Sequence, residues 1–375
     1  MSTSDAVWSE QGTTPDAIEA ALRALLAERH AESDSFVPAR VLNMIVFVED
    51  AWSGEIANRL RQVGRYHASR LLVLSYEPGR ERLDARATIA SDEDPAPGEL
   101  ALLRETVIVQ LGDRHMDDLL TIADPLVVTD LPTLLWSPHG HPEVADALLG
   151  LAQATLLDSI EEPVWSTAID RACALSELLY VVDLAWLRST PWRERVAATF
   201  DPTELRPDLN LLDAVTVRHH PDSTVAALLL VGWLASRLGW ELEPSRVVER
   251  APAEGAPSGA RVGGREIELS GKARAGDRDI ELSLKAAPEL RVPGLAGLEL
   301  GSESGLRVRL DRGPGGLRAR RRDRDGKERT WTLLGASRGE GGILGEGIRQ
   351  ALLRDPTYRP ALKAAQALLP EAIAA

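Results

Sequence analysis

Side chains able to do chemistry are most densely packed in Asp183-Leu184-Ala185-Trp186-Leu187-Arg188-Ser189-Thr190-Pro191-Trp192-Arg193. Nine Trp stand against three Phe and four Tyr, and three of the nine fall within residues 165–192. Trp and Arg dominate the energy of buried protein–protein contacts, so the cluster has the makings of a recognition surface. A plainer reading is open beside it. Asp183 caps a turn, Thr190-Pro191 opens the next helix and Trp186 fills a core. Burying Trp186, Arg188, Trp192, Arg193 and Arg195 together would demand a partner for every guanidinium. Some of them are therefore expected at a surface.

Other constellations offer less. His139-Gly140-His141 sets two imidazoles at i and i+2, but a metal site needs further ligands, and Glu143 and Asp146 suit a polar loop equally well. No metal is expected. His219-His220 would point to opposite sides of a strand over 213–220 and cannot share a ligand. The stretch 306–331 holds ten Lys or Arg against four Asp or Glu, including Arg318, Arg320, Arg321, Arg322 and Arg324. A solvated hairpin whose edge is guarded by charge explains the run, with an acidic protein partner as the functional alternative. In His67-Ala68-Ser69-Arg70 the basic side chains suit a helix C-terminus. Alternatively, Arg70 grips a carboxylate or phosphate with its two-pronged donor fork. The first strand-to-helix junction, Val48-Glu49-Asp50-Ala51-Trp52-Ser53, has no glycine to admit a pyrophosphate, and no Walker-type loop occurs. No cofactor is expected. Cys173 is the only cysteine, which excludes an internal disulfide and a cysteine zinc site.

These residues need elements to position them. Thr14-Pro15 opens a helix carrying Ile18, Leu22, Leu25 and Leu26 on one face. Val41-Leu42 with Met44–Val48 makes a nearly continuous apolar run and Leu71–Leu74 a second, the mark of strands buried on both faces, with Ile56, Leu60 and Val63 at helical spacing between them. Further strands are expected at 83–90, 105–111 and 133–136, and helices at 116–122 and 143–151. Val225–Leu238 is apolar nearly all round and predicts a buried helix, capped by Asp222 and stopped by Gly239. Seventeen of the thirty glycines fall between Gly255 and Gly341, punctuating short alternating runs. Those runs, at 265–269, 280–284, 306–310, 317–321 and 329–333, predict an antiparallel sheet with one wet face, followed by helices near 342–353 and 358–369. Glu249–Gly259 is the best boundary. The fold class is α/β: a three-layer α/β N-terminal domain on a mainly parallel or mixed sheet, a helical middle segment, and an α+β C-terminal region with an antiparallel sheet. The divisions expected are 1–35 (N-terminal helix and tail), 36–160 (α/β domain), 161–243 (mainly helical) and 244–375 (sheet plus terminal helices).

Charge and hydropathy narrow the partners. A net charge of −14 argues against nucleic acid and against anionic membrane surfaces. The longest charge-free apolar stretch, Ser223 to Ser236, is 14 residues. A bilayer span needs roughly 18–20. No secretory signal is visible at the N-terminus, so a cytoplasmic protein is expected.

Several segments in one order resemble the OpcA family of glucose-6-phosphate dehydrogenase assembly proteins. They are Arg40-Val41-Leu42-Asn43, His67-Ala68-Ser69-Arg70-Leu71-Leu72-Val73, Asp130-Leu131-Pro132-Thr133-Leu134-Leu135-Trp136, Asp183-Leu184-Ala185-Trp186-Leu187-Arg188 with Trp192-Arg193, and Gly232-Trp233-Leu234-Ala235-Ser236-Arg237-Leu238. Ala68 departs from the Pro of the family form, and 255–341 is locally diverged. The resemblance implies a non-enzymatic partner that promotes assembly or activation of glucose-6-phosphate dehydrogenase, and with it NADPH supply. In some photosynthetic members it implies thiol control, which the lone Cys173 could serve only between molecules. On this basis partner contact is expected at Arg188, Trp192 and Arg193, with Arg70 and Trp136 as a second site. The alternative is a sugar-phosphate sensor or enzyme in which Arg70 and His67 hold the phosphate. Self-association is left open.

Overall fold

The computed structural model describes residues 5–32, 36–37, 40–63, 69–91, 101–250, 266–334 and 339–370. The chain divides into two units, each assembled from pieces distant in sequence. One comprises Met1–Leu157, Leu179–Val182 and Glu340–Arg354; the other comprises Asp158–Leu178, Asp183–Gly339 and Asp355–Ala375. Most of the stretch expected as the boundary, from 251 to 259, lies outside the described residues, as does His67.

Elements are numbered in chain order. The first unit holds strands Ala6–Glu10 (β1), Phe36–Val37 (β2), Leu42–Glu49 (β3), Ser69–Tyr76 (β4), Asp84–Ser91 (β5), Ala101–Leu111 (β6), Thr133–Trp136 (β7), Ala154–Leu157 (β8) and Tyr180–Asp183 (β9). Its helices are Pro15–Glu32 (α1), Ser53–Val63 (α2), Leu119–Ala123 (α3), Pro142–Leu148 (α4) and the late-arriving Gly339–Leu353 (α10). The sheet order is β1-β5-β6-β4-β3-β7-β8-β9, with β2 on β6. Strands β6, β4, β3, β7 and β8 run parallel; at one side β5 is antiparallel to β6, and β1 is antiparallel to β5. Ile45, Phe47, Leu72, Leu74, Val107 and Val109 pack with Ile18 and Leu22 of α1, Ile122 of α3 and Val144 and Leu148 of α4. The alternate residues of β3, namely Met44, Val46 and Val48, are buried as well. Coverage on both faces is why Met44–Val48 appears in the sequence as an apolar run, and the buried Asn43 before it donates to the Val128 carbonyl at 2.9 Å.

The α1 cap forms as expected, with Thr14 Oγ1 accepting from the Ala17 amide at 3.3 Å. The helix expected at 116–122 instead begins as a 3-10 turn over Asp113–Asp118, held by the His115 ring accepting from the Gly112 amide at 3.0 Å. The short strands β1, β8 and β9 were not anticipated.

The second unit contains Leu212–His219 (β10), Glu241–Leu242 (β11), Arg246–Arg250 (β12), Glu266–Ala275 (β13), Arg278–Ala286 (β14), Leu295–Ser302 (β15), Arg307–Gly313 (β16), Gly316–Arg322 (β17) and Glu328–Leu334 (β18). Its helices are Trp165–Leu178 (α5), Leu184–Arg188 (α6), Thr190–Phe200 (α7), Arg206–Leu209 (α8), Thr224–Leu238 (α9) and Tyr358–Ala367 (α11). The sheet runs β11-β13-β14-β10-β15-β16-β17-β18, with β12 on β13. The expectation of a purely antiparallel sheet needs one correction. Strand β10, arriving from the stretch read as mainly helical, lies parallel to β14, although the remaining pairings are antiparallel. Helix α9 lies on β10 and β14 and also meets α5 and α11, so it is buried nearly all round. Gly239 stops it in the left-handed conformation (φ 67°), but its N-cap is Ser223 rather than Asp222, because a 3-10 turn over Pro221–Ser223 precedes it. Among the described residues no helix is long and apolar enough to cross a membrane.

Candidate functional site

The Trp–Arg cluster is built around a buried carboxylate. Asp183 is fully buried at the N-terminus of α6, where it accepts from the Ala185 amide at 2.9 Å. It also accepts from the Ser159 hydroxyl at 2.5 Å and the Tyr358 hydroxyl at 3.3 Å. Burial raises its pKa to about 6 against the pull of these donors. Trp186 lies between the Arg193 guanidinium, 3.5 Å from its ring centroid, and the Tyr358 ring at 5.6 Å. Its indole N–H donates to Asp355 at 2.9 Å. Arg193 also donates to Ser189 and Thr190 at 3.2 and 2.9 Å, and burial lowers its pKa to about 10. Arg188 grips Asp158 with two nitrogens, each at 2.7 Å. Trp192 is 4 % exposed.

Arg188 and Arg193 therefore have partners within their own unit, and Arg195 lies over the Trp331 ring at 5.9 Å. Asp158, Asp355 and Tyr358, which supply those partners, lie far along the chain, and local spacing gave no sign of them. The same holds for the second patch. Arg70 is 4 % exposed and Trp136 2 %. Arg70 donates to Glu105 at 2.8 Å, to Glu19 at 2.9 Å and to the Leu126 carbonyl at 3.2 Å. Glu105 is shared with Arg40. Three of its five N–H donors are thus committed, Nε to Glu105 and Nη1 to Glu19 and the Leu126 carbonyl. Trp192, Trp136 and Arg70 hold the interior, while Arg188 and Arg193 are only partly exposed.

In open α/β sheets ligands sit beyond the carboxyl ends of the strands, where the strand order reverses. Here that point lies between β3 and β7. Glu49 ends β3, and a 3-10 turn over Asp50–Trp52 leads into α2. Ser75, near the end of the neighbouring β4, donates to Asp50 at 2.9 Å. From the end of β7 the chain passes through His139, Gly140 and His141, all in the left-handed region (φ 66°, 101° and 63°). His141 bridges Glu49 and Glu143, with 3.2 Å to each, and sets its ring edge-on to Phe47 at 5.1 Å. Trp52, 46 % exposed, stacks on His139 at 5.0 Å. A pyrophosphate entering here would meet Glu49 and Asp50 in place of glycine amides. No group of three or more metal-capable side chains forms among the described residues. The His-Gly-His spacing marked this place in the sequence; the pairing with β3 explains why it is there.

Two further groups are interior. The Cys173 thiol is buried and its pKa is pushed up to about 11 by burial, so it is a poor nucleophile. His219 is buried and its pKa lowered to about 4 for the same reason, its ring 2.8 Å from the His220 carbonyl.

Residues 61–173 match the family described as glucose-6-phosphate dehydrogenase subunit N-terminal domain, and residues 179–362 match its C-terminal domain. Curated relatives carrying the name OxPP cycle protein OpcA are similar over shorter stretches. That of Synechococcus elongatus is 28% identical over 142 residues, covering 36% of this chain and 32% of that protein. That of Synechocystis is 30% identical over 122 residues, covering 31% of this chain and 25% of that protein. The matched stretch thus spans a third or less of each relative's length. Among solved structures, an oxidoreductase from Sinorhizobium meliloti aligns with TM-score 0.46 and 13% identity over 88% of this chain and 96% of that chain. A myo-inositol 2-dehydrogenase from Lactobacillus plantarum gives TM-score 0.47 and 13% identity, over 87% and 94%. Likeness of that depth assigns neither chemistry nor ligand to this chain.

Proposed function

Given that the chain belongs to the OpcA family of glucose-6-phosphate dehydrogenase subunits, we propose that it is a non-catalytic assembly and activation partner of that dehydrogenase. It acts in the cytoplasm by protein contact and so supports NADPH supply through the oxidative pentose-phosphate route. The observation that favours contact over catalysis is the β3–α2 turn. Its carboxylates, Glu49 and Asp50, stand where a dinucleotide-binding sheet offers bare amides and a helix N-terminus. The rival sugar-phosphate reading is weakened by Arg70, which is buried and already commits three N–H donors to Glu105, Glu19 and the Leu126 carbonyl.

An activator of this kind must bind the assembled, active form more tightly than the inactive one, by about 1.4 kcal/mol for each tenfold shift in population. The test is a reconstitution from purified components. Adding this protein is expected to raise the dehydrogenase rate saturably and to move the dehydrogenase toward its assembled form in sedimentation. Glucose 6-phosphate, 6-phosphogluconate and NADP, added singly to this protein, are expected to leave its melting temperature unchanged. An unaltered rate and sedimentation profile, or turnover of a metabolite by this protein alone, refutes the proposal.

A further inference from the structure

The second sheet turns one face to solvent, and its register shows what stands there. Cross-strand neighbours share a face. Arg307 pairs with Arg322, Arg309 with Arg320, and Asp311 with Arg318. Toward the sheet centre Arg309 faces Glu299; toward the edge, Arg318, Arg320 and Arg322 face Thr332, Thr330 and Glu328. All five arginines are exposed. Arg307 reaches Asp213 at 3.4 Å and Arg309 reaches Asp311 at 2.9 Å. Arg318, Arg320 and Arg322 form no ion pair among the described residues, whereas their sequence neighbours Arg321 and Arg324 are held by Asp323 and Asp208 at 2.7 and 2.5 Å.

Edge protection does not account for this arrangement. Strand β17 is paired on both sides, so its arginines guard no free edge. Like charges directly opposite each other destabilise a sheet, yet two such pairs lie side by side here. They do so in a chain whose net charge is −14.

We propose that this face, centred on Arg318, Arg320 and Arg322 and extended by Arg307 and Arg309, is the docking surface for a carboxylate-rich face of the dehydrogenase. The inference rests on the function proposed above. Charge complementarity selects the occupant, since guanidinium forks take carboxylates two-pronged. A second copy fits poorly at a two-fold contact, which would set arginine against arginine. Nucleic acid fits poorly too. Trp331, the nearest large ring, pairs with the buried Ala319 and so belongs to the opposite face, leaving no platform for base stacking.

The test compares the full-length protein with R318E/R320E/R322E for binding to purified dehydrogenase at low and at moderate salt. Wild-type affinity is expected to fall with salt, and the variant to bind about a hundredfold more weakly at low salt with its salt dependence largely gone. R318K/R320K/R322K, which keeps the charge but loses the two-pronged geometry, is expected to bind between the two and to keep the salt dependence. Should the glutamate variant fail to fold, R318Q/R320Q/R322Q takes its place, with the same loss expected in smaller measure. A folded variant that binds like wild type overturns this surface and leaves the proposed function intact. Wild type that does not bind the dehydrogenase overturns both. If the substitutions instead abolish self-association in sedimentation, or a gel shift of an oligonucleotide, while dehydrogenase binding persists, the face belongs to another partner and the proposal fails.

Discussion

A buried indole is the clearest case at the scale of single residues. Trp192 is 4 % exposed, so Trp192→Ala removes core volume and is expected to cost about 3–5 kcal/mol in denaturant unfolding. Loss of dehydrogenase contact with unchanged stability would show instead that the ring faces a partner. His219 sets a pH signature. Burial lowers its folded-state pKa to about 4 from an ordinary value of 6.5, so the unfolded chain binds the extra proton. Its contribution is complete above pH 6.5 and is lost as pH falls toward 4, amounting to about 2 kcal/mol at roughly pH 5. His219→Gln is therefore expected to flatten the acid limb of a stability–pH profile, measured as the denaturant midpoint against wild type. Asp183 works in the opposite sense: with its pKa raised to about 6, its buried carboxyl favours the fold while protonated and costs stability as pH rises through that value. That background is common to both proteins and drops out of the comparison.

At the scale of elements, α9 and α11 approach so closely that Gly232 has no room for a methyl group. A Cβ there would run into the Ala361 carbonyl, come within 2.8 Å of the Ala365 amide nitrogen and 3.1 Å of its Cβ. Backbone atoms cannot swing aside, so Gly232→Ala is expected to destabilise by about 1–3 kcal/mol despite alanine's better helix propensity. A melting temperature equal to or above wild type would contradict that geometry. Elements buried on nearly every side are legible in the sequence, because such burial writes long apolar runs: Met44–Val48 of β3 and Val225–Ala235 of α9 show it. A strand over 213–220 is legible, but its place in the sheet is not: Leu212, Val215 and Val217 look like those of any half-buried strand, and only long-range pairing sets it between β14 and β15. The candidate sites divide in the same way. The strand-end position of His139-Gly140-His141 could be suspected locally, whereas the interior fate of Trp186 and Arg193 depends on Asp355, far downstream.

Over the whole molecule, charge is distributed against its own sum. The arginine rows of β16 and β17 repel one another within a chain of net charge −14. Neutralising them as R318Q/R320Q/R322Q is expected to raise the melting temperature at low salt and to change it little at about 0.5 M salt, where the screening length is only a few ångströms. The interleaved composition of the two units matters for synthesis. The unit that begins at Met1 also needs Leu179–Val182 and Glu340–Arg354. At elongation rates of about 5–20 residues per second, the nascent N-terminal sheet waits on the order of ten seconds or more for its last helix to leave the ribosome. Through that interval the unit lacks Glu340–Arg354, so the apolar side chains of that segment and whatever they pack on are left uncovered until synthesis is nearly over.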